Sequence, residues 1–148
     1  MIKPLKQTLC LLFGIILMAC SNADDDQIST HVTKAVNPLP ECPSSPNCYR
    51  VTLGYTVAAD SLLKASEKVL IEMGASEVDV NENNQSIAAV FTIWLFRFKD
   101  DVKLNIEQTS NQTLLHIRSA SRKGYSDLGV NRHRVNQIIR RLESNMDV

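Results

Sequence analysis

Between Arg118 and Arg134 the chain reads Arg-Ser-Ala-Ser-Arg-Lys-Gly-Tyr-Ser-Asp-Leu-Gly-Val-Asn-Arg-His-Arg. Guanidiniums, hydroxyls and backbone N–H groups at this density are the donors that hold a phosphate or carboxylate. Gly124 and Gly129 would let the backbone come close to such a ligand. From Arg118 to Arg141 seven Lys and Arg stand against one acid, Asp127. Arg132 and Arg134 fall in the first turn of a predicted helix. The positive end of the helix dipole disfavours each there by ~0.3–1 kcal/mol. Two things could compensate. One is internal pairing, with Asp100, Asp101 or Asp127 taking an arginine. The other is an external anion, held by Arg118, Ser119, Ser121, Arg122, Tyr125, Asp127, Asn131 and Arg132, with Asp100 and Asp101 as supporting carboxylates. The sequence leaves both open.

No reaction is named by these residues, and no catalytic residue is assigned. His116, Ser119 and Asp127 are the residue types of a hydrolytic triad, but strand alternation puts His116 and Ser119 on opposite faces. A hydrolase using Asp127 or His116 is the weakest of three readings. There is no Gly-x-Ser-x-Gly elbow, no P-loop and no dinucleotide fingerprint. His31, His116 and His133 lack metal-ligand spacing, so neither a metal nor another cofactor is expected.

The elements that must position this segment follow from periodicity. Val51, Leu53 and Tyr55 alternate, predicting a strand over Tyr49–Thr56. Asp60 is the expected N-cap of a helix carrying Leu62, Ser66, Val69, Leu70 and Met73, stopped at Gly74. Val78 and Val80 mark a short strand, closed by the turn-forming 81–84. Ile87 to Phe98 reads as one long apolar strand, covered on both sides or presenting an open face to a protein partner. Lys99-Asp100-Asp101 is the expected break after it. Val102, Leu104 and Ile106 alternate with polar residues, and Thr113–Ser119 is the last strand. Asn131 is the expected N-cap of a final helix with Val135, Ile138, Ile139 and Leu142 at i, i+3, i+4 and i+7. The order is β-α-β-β-β-β-α. It predicts an α+β domain, one mostly antiparallel sheet with two helices packed on it.

The N-terminus gives an address. Lys3 and Lys6 precede an apolar run, Leu9 to Met18, that is too short to span ~30 Å of hydrocarbon at ~1.5 Å per residue. Ala19 and Cys20 follow it. This is the layout of an export signal, and Leu17-Met18-Ala19-Cys20 resembles the lipobox of bacterial lipoproteins. The resemblance implies cleavage after residue 19 and attachment of fatty acids, palmitate among them, to Cys20. Ser21 favours the outer membrane by the same resemblance. Residues 20–40 then form a polar tether of ~25 Å root-mean-square reach, and 41–148 a single domain. The chain carries 16 basic and 16 acidic residues. Loss of Lys3 and Lys6 with the signal leaves a net charge of −2, which argues against nucleic acid as partner. The expected partners are the membrane, through the lipid, and an anionic small molecule or envelope component. Cys42 and Cys48, exported to an oxidising compartment, are expected to form a disulfide contributing ~2–3 kcal/mol at most.

Three stretches carry a further resemblance: Cys42-Pro-Ser-Ser-Pro-Asn-Cys48, Phe96-Arg-Phe98-Lys-Asp100-Asp101-Val102, and the run from Arg118 to Arg132. Together they are similar to the family of domains of unknown function numbered 1499, found in bacterial and plant-plastid proteins. The family has no established activity. The resemblance implies that Asp100, Asp101, Arg118, Arg122, Asp127, Asn131 and Arg132 belong to one constellation.

Overall fold

Val102, Leu104 and Ile106 point one way along their strand, and Lys103, Asn105 and Glu107 the other. In the computed structural model the first set is buried under two helices. The structure describes residues 32–93 and 97–146. The elements are β1 (Cys48–Tyr55), α1 (Ala59–Glu72), β2 (Glu77–Asn81), β3 (Ser86–Ile93), β4 (Phe98–Gln108), β5 (Thr113–Ser121) and α2 (Val130–Met146). The strands form one sheet in the order β1-β5-β4-β3-β2, every neighbour antiparallel. Strands β2 to β5 are joined in sequence, while α1 carries the chain from one sheet edge to the other. The fold is α+β, as the element order predicts.

Both helices cover the same sheet face. Val135, Ile138, Ile139 and Leu142 are fully buried, so the predicted stripe of α2 is its packed face. They meet Leu53, Leu115 and Ile117, while α1 adds Leu62, Val69 and Leu70. Each such side chain contributes ~1.5–3 kcal/mol through removal from water. Helix α1 ends as expected. Gly74 takes φ +83°, with N–H bonds from Gly74 to Ile71 O and from Ala75 to Leu70 O. These are the paired bonds of a Schellman stop.

Five expectations are corrected. The apolar run is two strands, not one: β3 stops at Ile93, β4 starts at Phe98, and Ile93 pairs with Phe98 across a hairpin. Trp94 and Phe96 lie outside the described residues. Lys99-Asp100-Asp101 is therefore strand rather than break, because the inward Asp100 finds a cation on α2. Asp60 is not the cap of α1. The cap position is Ala58, without a side-chain bond, and Gln108 Oε1 accepts the Ala59 N–H instead, at 3.2 Å. Asn131 is not the cap of α2 but lies inside its first turn. Finally, the folded part starts before residue 41. Val32 bridges Leu53, Thr33 N–H donates to Thr52 O at 2.9 Å, and Asn37 Nδ2 donates to Val51 O at 2.9 Å. Residues 32–39 thus form a strap along β1 and onto the face opposite the helices. The signal segment and Cys20 lie outside the described residues.

Cys42 and Cys48 are disulfide-bonded. The ring they close is short, so Cys42→Ser with Cys48→Ser should lower unfolding stability by roughly 2 kcal/mol. Urea midpoints of the oxidised and doubly substituted proteins check this.

Candidate functional site

Helix α2 enters the domain beside the starts of β1 and β4 and the end of β5, and a polar network is buried there. Arg134, in the second turn, reaches across to Asp100 on β4, with Nη2 to Oδ2 at 2.7 Å. Its Nη1 donates to Asn131 Oδ1 at 2.9 Å and to Ser119 Oγ at 3.1 Å. Its guanidinium stands 4.8 Å from the Phe91 ring centroid, which adds a cation–π contact. Asp100 is fully buried and Arg134 nearly so.

Asn131 is the hub. It is fully buried, and its Oδ1 accepts from Ser119 Oγ at 2.5 Å. Its amide hydrogens serve Asn47 O, Ser121 Oγ and Asp127 Oδ2. The Asp127 carboxylate takes the capping role expected of Asn131, accepting the Asn131 N–H at 2.7 Å and the Gly129 N–H at 3.0 Å. Partial burial pushes the Asp127 carboxyl up. The bonds from Asn131 and Gly129 outweigh this and leave it below the ordinary aspartate value. Most of the segment is therefore tied up internally. Its contacts pin the disulfide loop too, with Asn47 Nδ2 donating to Gly124 O at 2.6 Å.

The segment lies within residues 38–142, which match a family model described as "Protein of unknown function (DUF1499)". The chain belongs to that family. No curated protein matches the chain. Within this DUF1499 domain the match takes in all five described strands and α1, and ends inside α2 at Leu142, the last fully buried residue of that helix.

The seven residues expected in one constellation fall into separate places in the DUF1499 domain. Asp100, Asn131 and Asp127 join the buried network, with Ser119 and Ser121. Arg122 is on the surface, where Nε and Nη2 grip Asp101 at 2.7–3.0 Å. Arg132 is exposed and stacks 5.1 Å from the Tyr49 ring centroid. Tyr125 is exposed and takes no part. Arg118 is on the opposite sheet face, because β5 alternates through Ser119.

That opposite face holds what sequence reading missed. Across three adjacent strands the register is Arg50, Arg118, Lys103. The Nε atoms of Arg50 and Arg118 are buried without a hydrogen-bond partner. Arg50 Nη2 donates to the strap at Asn37 O. Among the described contacts no carboxylate is paired with Arg118 or Lys103. Arg50 borders a groove of about 470 Å³ between strap and β1. Lys103 borders a second, of about 350 Å³, between Pro38, Leu39 and the sheet, with Asp79 on its far wall. Register alone aligns the row, so no local signal could have found it.

Two positions along β5, on the same face as Arg118, lies His116, fully buried. Thr52 Oγ1 is 2.9 Å from its Nδ1, and Glu107 Oε2 is 3.5 Å from its Nε2. Ser119 faces the helices, so the two do not converge. Burial lowers the His116 pKa. Glu107 opposes this, and Arg50 adds to it. A histidine whose folded value is depressed costs stability as pH falls through its ordinary, unfolded value, and the loss is complete once pH is below the folded value. His116→Gln should flatten that part of the stability profile, read from urea midpoints between neutral and mildly acidic pH.

Proposed function

We propose that the protein is a non-enzymatic envelope lipoprotein, fastened by acyl groups on Cys20 and facing the periplasm. Its domain binds an anionic group on the sheet face opposite the helices, with Arg118 joined by Arg50 and Lys103. One observation carries the reading. Three cations lie directly opposite one another on adjacent strands, and two bury an Nε with no acceptor. Like charges so placed destabilise a sheet, and a buried donor without an acceptor costs a further ~1–3 kcal/mol. A phosphate or carboxylate bridging the guanidiniums removes both penalties and satisfies the donors with short, charge-assisted bonds. The two flanking grooves give it access. The sequence supplies the address, through the signal-like start and Leu17-Met18-Ala19-Cys20, and Ser21 favours the outer membrane.

The test is thermal denaturation with inorganic phosphate, pyrophosphate and citrate. A ligand that binds the folded state raises Tm with its concentration. Arg118→Gln should abolish the rise. Without ligand the variant should melt at or above wild type, because the repulsion is relieved. An indifferent wild type, or a variant that responds equally, overturns the reading.

A further inference from the structure

The loop over 122–129, between β5 and α2, presents apolar groups that the fold does not use. Leu128 is 94% exposed, Tyr125 77% and Val130 38%. Single exposed apolar side chains are ordinary, but these three fall within six positions. Leu128 also holds φ +55°, a left-handed backbone that favours glycine or asparagine over leucine. The loop is fixed all the same. Asn47 holds Gly124 O, the Asp127 N–H reaches Pro46 O at 3.4 Å, and Asp127 Oδ1 holds the Gly129 N–H. A leucine is thus displayed in water on a tied-down backbone.

The charge around the tip has one sign. Lys123, Arg132 and His133 are exposed. The one acid in the loop, Asp127, is turned inward to Asn131 and the start of α2. An apolar tip with tyrosine and a basic rim matches the interface of an anionic bilayer, where aromatic side chains sit at headgroup level and basic ones meet lipid phosphates.

We propose that loop 122–129 docks on a membrane carrying anionic phospholipid, with Leu128 and Tyr125 entering the headgroup layer. The proposal rests on the lipid-anchored reading only for reach. Val32 lies twelve positions after Cys20, and a fully extended chain of twelve steps spans at most ~40 Å. The strap meets β1 at Leu53, and the loop lies beside its other end. That strand is only ~26 Å long, so an anchored chain can lay the loop on its own membrane.

The experiment uses the full, lipidated chain in phosphatidylglycerol–phosphatidylethanolamine vesicles, with Leu128→Trp placed in a Trp94→Phe background as the sole indole. Its emission should shift to the blue. Lipids brominated near the headgroup should quench it roughly twofold, as burial ~5–10 Å deep requires. Lys123→Glu, or high salt, should reduce both effects. The unsubstituted chain gives an independent reading, since amide exchange over 124–130 should slow on anionic vesicles. Emission that stays at the aqueous maximum, open to iodide, overturns the proposal, and so does unchanged exchange. Equal quenching in neutral phosphatidylcholine overturns the assignment to anionic lipid. An unmodified Cys20 would sink the anchoring reading alone, with insertion still read from the same indole at excess vesicles.

Discussion

Replacing Arg134 by methionine is expected to lower unfolding stability by about 3–5 kcal/mol, the usual consequence of breaking a buried ion pair from one side. The carboxylate left behind is fully shielded from water. Its Oδ1 has no hydrogen-bond partner even in the intact protein, so Arg134 is the group that makes the charge tolerable. The variant can escape part of the cost by protonating Asp100. Stability regained by that protonation is present in acid and lost as pH rises. The deficit against wild type should therefore be widest at neutral pH and narrow in acid. Arg134→Met with Asp100→Leu should recover most of the loss, since an apolar pair of similar volume is often as stable as a buried ion pair. Urea midpoints at two pH values and a double-mutant cycle check all three statements. A deficit that is small and independent of pH would mean that water reaches Asp100. Arg122→Met makes the contrast. Its Asp101 partner is likewise on the surface, so little change is expected there.

The same pair shows where sequence reading stops. Helix α2 was legible because its four apolar positions share one face, and nothing elsewhere competes with that pattern. The strand Val102 to Ile106 was legible for the matching reason at period two. Asp100 was not. Lys-Asp-Asp has the composition of a turn, and the cation that makes Asp100 acceptable in a strand lies 34 residues away. The hairpin before it was hidden by chemistry of the opposite kind. Apolar residues continue from Ile93 through Trp94, Leu95 and Phe96, and Arg97 is the one polar residue before Phe98, too little to mark a break by composition.

The candidate site divides along the same line. Leu115 and Ile117 already set the parity of β5, which sends Arg118 to one face and Ser119 and Ser121 to the other. That signal was present, and it argues against a single constellation. The partners of Arg118 could not be read, because Arg50 and Lys103 reach it through register alone. Asn47 was hidden too: it is 84 residues from Asn131. Its position inside the disulfide ring gave no sign of a role.

Asn131 offers the second large effect. Asn131→Ala should cost about 3 kcal/mol, the upper end of the ~1–3 kcal/mol range for losing a buried polar partner. The substitution withdraws an acceptor from Ser119 and Arg134 and donors from Ser121 and Asp127 together. Asn131→Asp keeps the shape and tests the electrostatics. In the wild type the depressed Asp127 carboxyl contributes stability that is present above its unfolded value and lost as pH falls through the folded one. In Asn131→Asp a second carboxyl sits where Nδ2 was, 2.6 Å from Asp127 Oδ2. Two carboxylates that close cannot both ionise, so one titrates above its unfolded value. Its contribution is present in acid and lost as pH rises. The stability profile across the carboxylate range should therefore tilt the opposite way from wild type. Urea midpoints through that range decide it. A variant with the wild-type slope would show that the Asp127 bonds come from the helix backbone alone, and that the side chain of Asn131 only fills space.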